Sequence, residues 1–217
     1  MCAAALLFVF MCLTAAARAD HHQPCHSPNM TGFMSLTSFR GGVRALGDFT
    51  YDSMGRKLRF QSNDSLSISE LVNKTLSLDL LMLFEEGIFY EIDSKNQSCE
   101  KKSLHSSLHP LDIPDDAKSH FPFNLGNPSI EGEGLKVSLW MGSVPEMKVS
   151  YSMCVTQGCL PFSTLYFSES DSLIVSIMNV ENDIKDPDVL AVPSFCQGLP
   201  VEETPEGTVN SFINEFL

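Results

Sequence analysis

The sequence predicts an all-β protein, mainly antiparallel, in which two curved sheets pack against each other. Apolar residues recur at every second position along several short segments, and this is the period of a strand. Turn signals separate these segments at intervals of about ten residues, a spacing typical of antiparallel β proteins. Several strand faces also carry Leu, Met and Phe with no helical layer to cover them, so a second sheet is the expected cover.

The hairpin in residues 76–99 is the clearest element. One face of its first strand is apolar throughout, and the other becomes apolar near its end through Leu81 and Leu83. A strand with two apolar faces is expected to be covered on both sides. Gly87 can adopt a positive φ and therefore predicts the turn. The first face consists of Leu76, Leu78, Leu80, Met82 and Phe84.

Shorter strand signals surround this hairpin. They predict a weak strand at 33–39, hairpins at 47–61 and 162–180, and strands from Leu135 and Met147. Three prolines between residues 100 and 123 predict a long loop there. A short turn or helix is expected after Asp186. Apolar residues in the tail at 208–217 have helical spacing, which predicts a terminal helix. In the strand from Leu135, we expect Leu135, Val137, Leu139 and Met141 to point inwards.

Residues 1–19 predict a secretory signal peptide, because an apolar run too short to span a bilayer ends in Ala17-Arg18-Ala19. Residues 20–217 are then a single domain of 217 − 19 = 198 residues. Removing Arg18 leaves 13 basic and 27 acidic side chains, a formal charge of −14. Such a surface disfavours nucleic acid and anionic lipid headgroups as partners. The expected location is secreted and extracellular.

Five cysteines remain after cleavage: Cys25, Cys99, Cys154, Cys159 and Cys196. In an oxidising compartment they are expected to form two disulfides and leave one thiol. The sequence alone leaves about fifteen pairing schemes open. No second cysteine pair with metal spacing accompanies the CxxxxC segment, so a zinc site is not predicted.

Four Asn-X-Ser/Thr sequons are candidate glycosylation sites: Asn29, Asn63, Asn73 and Asn96. A fifth match at Asn127 is excluded by its proline. A signal peptide and cysteines in disulfides both favour the use of these sequons.

Six segments together resemble the ependymins, secreted glycoproteins of fish brain fluid, and their ependymin-related relatives. The resemblance spans nearly all of the mature chain in the same order, with cysteines at matching places. The segments are GDFTYDSMGRKLRF (47–60), FEEGIFYEIDSKNQSC (84–99), LDIPDDA (111–117), the PSI…GL run (128–135), YSMCVTQGCLPFS (151–163) and DVLAVPSFCQG (188–198).

The resemblance implies a fold similar to the bacterial lipoprotein carriers, with stacked sheets around a deep apolar pocket. It implies the disulfides Cys25–Cys159 and Cys99–Cys196, which leave Cys154 free or joined to a second chain in a homodimer. Among the sequons, the resemblance favours Asn73 and Asn96 as the glycosylated positions. It also implies loosely bound calcium that is held largely by the sugars. The predicted pocket lining, taken from the two inward strand faces, is Leu78, Leu80, Met82, Phe84, Leu135, Val137 and Leu139.

No catalytic motif is present, so an enzyme is not predicted. The acidic group Asp183, Asp186 and Asp188 fits no calcium motif. Two classes of function remain. One is a calcium-associated glycoprotein that binds matrix or cell-surface components in adhesion and neural-plasticity-type signalling. The alternative is a carrier of a fatty acid or lipid between the sheets, because the abundant methionines suit an adaptable lining as well as an ordinary core.

A copper or nickel site is predicted at the mature N-terminus, which would read Asp20-His21-His22. The terminal amine, two backbone amide nitrogens and the His22 imidazole can surround Cu²⁺ or Ni²⁺ in a square plane. Metal binding requires the amide protons to leave, so it should weaken as the pH falls.

Overall fold

The computed structural model describes residues 25–39, 44–62, 78–104, 111–145, 148–169 and 172–203. Within these ranges the chain forms eleven β-strands and two short 3-10 helices, at Pro187–Leu190 and Ser194–Cys196. The strands are β1 (Met30–Ser38), β2 (Arg44–Asp52), β3 (Lys57–Ser62), β4 (Asp79–Leu83), β5 (Ile88–Asp93), β6 (Ser98–Ser103), β7 (Lys118–Gly126), β8 (Gly134–Val144), β9 (Val149–Thr156), β10 (Pro161–Phe167) and β11 (Ser172–Glu181).

All eleven strands belong to one antiparallel sheet with the order β6-β5-β4-β3-β2-β1-β11-β10-β9-β8-β7. Two meanders of successive hairpins, β1 to β6 and β7 to β11, meet where β1 pairs with β11. The predicted all-β antiparallel class is confirmed, and the two predicted layers are the two halves of one continuous curved sheet. The short 3-10 helices follow β11, whereas the helix predicted at 208–217 lies outside the described residues.

The sheet has a core face and an outer face. Core-face side chains from both meanders form one buried cluster, which includes Met34, Phe60, Met82, Trp140 and Tyr166. The sheet curves around this cluster. The outer face is covered only in part by described residues: over β4 and β5 it packs against the segment that contains the 3-10 helices.

The central hairpin is buried on both faces, as the sequence predicts. Leu80 and Met82 of β4 belong to the core-face cluster, and Leu81 and Leu83 belong to the outer cluster with Leu190 and Cys196. Gly87 has φ +62° in the turn between β4 and β5, which confirms the predicted role of this glycine.

The long loop predicted at residues 100–123 is wrong at its two ends, where the edge strands lie, and is confirmed at residues 111–117, which form no strand. β6 and β7 border that segment and occupy the two ends of the sheet. Pro122 is accommodated because β7 is an edge strand and its pairing with β8 shifts between Ser119 and Pro122. β6 carries Glu100, Lys101 and Lys102, and charged side chains are common on edges because they oppose pairing with another chain.

The predicted orientation of β8 is wrong. In the sheet, Trp140 stands opposite Met153 on the core face, whereas Leu139 stands opposite Cys154 on the outer face. The row predicted to point inwards, with Leu135, Val137 and Leu139, therefore lies on the outer face. Leu135 is 46% exposed, although Val137 is buried.

Candidate functional site

The outer face of five neighbouring strands carries no charged side chain among the described residues. Residues that stand directly opposite each other on neighbouring strands have their side chains on the same face of the sheet. The strand registers therefore place Leu139, Cys154, Ser163, Ser176 and Ser35 together on the outer face. We call this surface the uncharged outer face. It takes alternate residues from Leu135 to Ser143 in β8, Ser150 to Thr156 in β9, Ser163 to Phe167 in β10, Ser172 to Met178 in β11 and Phe33 to Thr37 in β1.

A polar network fixes the beginning of the described chain to the core face. The Tyr51 hydroxyl donates a 2.8 Å hydrogen bond to Asp112 Oδ2, and the Ser27 backbone N–H donates a 3.1 Å bond to Asp112 Oδ1. The Ser27 hydroxyl also bonds the carbonyl oxygens of Leu111 and Cys159. Burial, and then the negative charge of Asp112, raise the pKa of Tyr51 well above its ordinary value.

The Tyr151 hydroxyl is buried on the core face and has no hydrogen-bond partner in the part of the chain that the structure describes. Its ring lies against Gly142 on β8, where an added Cβ would come within 2.2 Å of the hydroxyl oxygen. Burial, and then the charge of Asp116, raise the pKa of Tyr151 to about 12. At neutral pH this group is therefore a protonated donor, and leaving it unpaired costs about 1–3 kcal/mol.

A polar groove of about 790 Å³ opens where β3 and β5 end and where β4 and β6 begin. The exposed sequon residue Asn96 lies in the turn beside it. Of the residues predicted to line an apolar pocket, Leu78 alone lines this groove. Its lining consists of Gln61, Ser62, Leu78, Asp79, Glu91, Ile92, Asp93, Ser94, Lys95, Ser98, Cys99 and Glu100.

The carboxylates of this groove bind side chains or backbone amides of the sheet. Asp79 accepts a bidentate pair of hydrogen bonds from Arg59, at 2.5 and 2.8 Å. The ammonium of Lys102 contacts Glu100 and lies 2.9 Å from Glu91 Oε2. Burial lowers the pKa of Lys102, but the hydrogen bonds to Glu100 and Glu91 outweigh it and raise the pKa above its usual value.

Asp93 completes the acidic side of the groove. Backbone and side-chain hydrogen bonds from Asn96 lower the pKa of Asp93. Among the described residues, no group of three or more His, Cys, Asp or Glu side chains is arranged to hold a metal ion. The hydrogen bonds of Asp79 with Arg59 and of Glu91 with Lys102 join neighbouring strands at this end of the sheet.

Two disulfides tie distant parts of the chain together. Cys25 is bonded to Cys159 and Cys99 to Cys196, with sequence separations of 134 and 97 residues. These are the pairs that the resemblance implies. Cys154 is a half-buried free thiol on the outer face, and burial raises its pKa.

Comparison with known proteins identifies the family. The ependymin family model matches residues 72–196, which is more than half of the chain. The chain is 45% identical to "Ependymin-2" of Salmo salar over 217 residues, covering 98% of this chain and 96% of that protein.

The chain belongs to the ependymin family.

Further ependymin relatives show a similar likeness. "Ependymin" of Esox lucius is 44% identical and covers 93% of each chain. "Ependymin-2" of Carassius auratus is 41% identical and covers 97% of this chain and 96% of its own.

Two solved structures also resemble this ependymin at 9% identity. An uncharacterized conserved protein from Thermus thermophilus has a TM-score of 0.49 and covers 82% of this chain and 91% of its own. LprF from Mycobacterium bovis has a TM-score of 0.36 and covers 73% of this chain and 89% of its own. No helix among the described residues is long and apolar enough to cross a membrane.

Several predicted site residues lie outside the described residues: Asn63, Asn73, and the copper ligands Asp20, His21 and His22. Asn29 is half-buried, and its side-chain oxygen accepts hydrogen bonds from the backbone and hydroxyl of Ser53. Asp186 caps a 3-10 helix by accepting a hydrogen bond from the backbone N–H of Asp188.

Sequence reasoning missed Asp112, Tyr151 and the uncharged outer face. Nothing in the sequence pairs Asp112 with Tyr51, 61 positions away. The outer face, by contrast, has a sequence signal. In β9 to β11 and in β1, one strand face holds only serine, threonine, cysteine and apolar residues, in a chain whose charged content is 19%.

Proposed function

We propose that this ependymin acts outside the cell as a secreted glycoprotein without catalytic activity. The two disulfides carry this proposal, because bonds of this kind persist in oxidising compartments and are rare in the cytosol. The exposed sequon at Asn96 adds support, since glycans are attached to accessible surface turns.

Expression in secretory cells tests this proposal. The protein is expected in the medium with only Cys154 reactive towards thiol reagents under denaturing conditions. Replacing Asn96 by Gln should lower the mass of the secreted protein by the mass of one N-linked glycan. The matched control is Asn182→Gln, because Asn182 is exposed and lies outside any sequon, and this variant should keep all of its glycans. Retention in the cytosol with all seven cysteines reduced would contradict the proposal.

We further propose that the protein is calcium-associated and binds matrix or cell-surface components in adhesion and plasticity-type signalling. Its support is the formal charge of −13 for the whole chain, since an acidic surface attracts cations and basic partners. The ions are held diffusely by carboxylates and glycans. Calcium binding, measured before and after enzymatic removal of the glycans, tests the association with calcium. Attachment of cells to the immobilised protein, compared in calcium and in EGTA, tests the role in adhesion.

Carriage of an apolar ligand is the second candidate function, and the Tyr151 hydroxyl favours it. A buried, protonated and unpaired donor on a largely apolar face suits the polar end of a bound amphiphile. Solvent extraction of the protein from native fluid, followed by mass spectrometry, identifies any lipid. Retention should fall in Tyr151→Phe and remain in Tyr90→Phe, because Tyr90 belongs to the outer cluster. Extracts free of lipid would exclude this function.

A further inference from the structure

We propose that the glycan on Asn96 folds back into the polar groove and covers the Cys99–Cys196 disulfide at the wall of that groove. The proposal rests on the proposed function, because it requires a secreted protein that carries a sugar at Asn96. It gives the groove an occupant and gives this sequon a protective role. Its support is the direction of the Asn96 side chain, the chemistry of the groove lining and the position of Cys99.

The turn between β5 and β6 directs the Asn96 side chain towards the groove. Asp93, which lines the groove, accepts the backbone N–H groups of Lys95 and Asn96 on Oδ1, at 3.0 and 3.1 Å. Its Oδ2 accepts a 2.6 Å hydrogen bond from Asn96 Nδ2, the atom to which an N-linked sugar is attached. This nitrogen carries two hydrogens, so one can still bond Asp93 when a sugar replaces the other. The first sugar therefore begins beside the groove.

The same turn is joined to the other strands that form the groove. The Ser94 hydroxyl donates a 3.4 Å hydrogen bond to Asp79 Oδ2 at the start of β4. Gln61 Nε2, on β3, donates a 3.2 Å hydrogen bond to the same oxygen. All three residues line the groove. The groove is thus shaped by contacts within the protein, and a sugar at Asn96 meets a site that is already formed.

The groove lining suits a sugar better than an apolar ligand. All of its residues except Leu78, Ile92 and Cys99 are polar or charged. Sugar hydroxyls both donate and accept hydrogen bonds, as do the amide and hydroxyl side chains of this lining. Hydrogen bonds from hydroxyls to its carboxylates are charge-assisted and therefore stronger than neutral ones. The volume of about 790 Å³ lies within the range of about 300–1,000 Å³ that is usual for small-molecule sites.

The groove is also the route by which a reducing agent reaches the Cys99–Cys196 disulfide. Reduction begins when a thiolate attacks one of the two sulfurs, so its rate depends on access. Cys196 is fully buried, whereas Cys99 is half-buried and lines the groove one residue after the sequon. A sugar in the groove therefore protects the bond that holds the 3-10 helical segment over Leu81 and Leu83.

Two substitutions at one position test this proposal. Ser98→Ala destroys the sequon of Asn96, whereas the matched control Ser98→Thr preserves it. The native secreted proteins are treated with dithiothreitol, and the cysteines that become reduced are alkylated and located by peptide mass mapping. Reduction of Cys99–Cys196 should be several-fold faster in Ser98→Ala than in wild type or Ser98→Thr. Cys25–Cys159 does not line the groove and should be reduced at the same rate in all three proteins.

Trimming the glycans distinguishes a sugar in the groove from general shielding by a large glycan, and it needs no mutation. Wild-type protein with high-mannose glycans is treated with endoglycosidase H, which leaves one N-acetylglucosamine on each glycosylated asparagine. Cys99–Cys196 should remain as slow to reduce as before trimming, because the sugar nearest to Asn96 is the one that lies beside Cys99.

The glycopeptide mass separates failure of this proposal from failure of the proposed function. A secreted protein without a sugar at Asn96 contradicts both. With the sugar present, equal reduction rates of Cys99–Cys196 in wild type and Ser98→Ala overturn this proposal alone, and this is the result expected if the chain itself fills the groove. Loss of protection after trimming also overturns it, as does a Ser98→Ala variant in which Cys25–Cys159 is reduced faster to the same degree.

Discussion

Tyr51 and Asp112 are joined by a 2.8 Å hydrogen bond across 61 positions of sequence. The same carboxylate accepts the backbone N–H of Ser27, two residues after the disulfide-bonded Cys25. Asp112 thus connects three parts of the chain: strand β2, the segment before β7 and the segment before β1. The carboxylate and the Cys25–Cys159 bond constrain the same region.

Replacing Tyr51 by Phe should destabilise the protein by about 1–3 kcal/mol, because the half-buried carboxylate of Asp112 loses a donor. Urea unfolding of Tyr51→Phe measures the change. Tyr90→Phe is the matched control on the outer cluster and should cost less. Equal losses in the two variants would show that the bond to Asp112 adds nothing.

Three of the four tyrosines should resist ionisation in the folded protein. Burial raises the pKa values of Tyr51, Tyr151 and Tyr166, with Tyr151 at about 12. Because the folded values exceed the unfolded value of 10.0, this contribution to stability is present below pH 10 and is lost as the pH rises towards 12. Phenolate absorbance at pH 11 should therefore be much lower in the folded protein than in urea. Equal absorbance would contradict the burial of these hydroxyls.

The central strands were predictable and the edge strands were not, for a physical reason. β4 is buried on both faces, so its apolar residues appear in the sequence at consecutive positions and identify it. β6 and β7 lie at the two ends of the sheet, where β6 buries only Lys102 and β7 buries no residue. Without burial on one face, they show no alternation, and the prolines of that segment predict a loop.

The orientation of β8 was not predictable because the uncharged outer face has an apolar row of its own. Leu135, Val137, Leu139 and Met141 give a stronger alternation than Ser138 and Trp140, which point to the core. Choosing the more apolar face is correct only where the opposite face meets water. The pairing with β9, whose core-face residues are unambiguous, fixes the true orientation.

The Cys99–Cys196 disulfide is expected to contribute about 2–5 kcal/mol to stability, because it closes a long loop in the unfolded chain. It also holds the 3-10 helical segment over Leu81 and Leu83. The double variant Cys99→Ala/Cys196→Ala should lower the midpoint of urea unfolding substantially, whereas Cys154→Ser should change it little. A double variant as stable as Cys154→Ser would mean that the segment is held by packing alone.

Gly142 is expected to tolerate no side chain, because the Tyr151 ring occupies the space that a Cβ would need. The built Cβ would lie 2.2 Å from the Tyr151 hydroxyl oxygen and 2.4 Å from Cζ of the ring. Tyr151 is itself buried between its strand neighbours, so the ring cannot swing into solvent without uncovering the core. Gly142→Ala should therefore destabilise the protein by about 1–3 kcal/mol, the usual cost of overpacking.

Gly158→Ala is the matched control for this prediction. Its nearest neighbour, the Thr156 hydroxyl, would lie 3.9 Å from the new Cβ, which is an ordinary contact. Thermal unfolding of both variants should show a clear loss for Gly142→Ala and little change for Gly158→Ala. The near-ultraviolet circular dichroism of Gly142→Ala should change as well, since Tyr151 shares the core face with Trp140. A Gly142→Ala variant with wild-type stability and spectrum would show that the Tyr151 ring does not lie against β8.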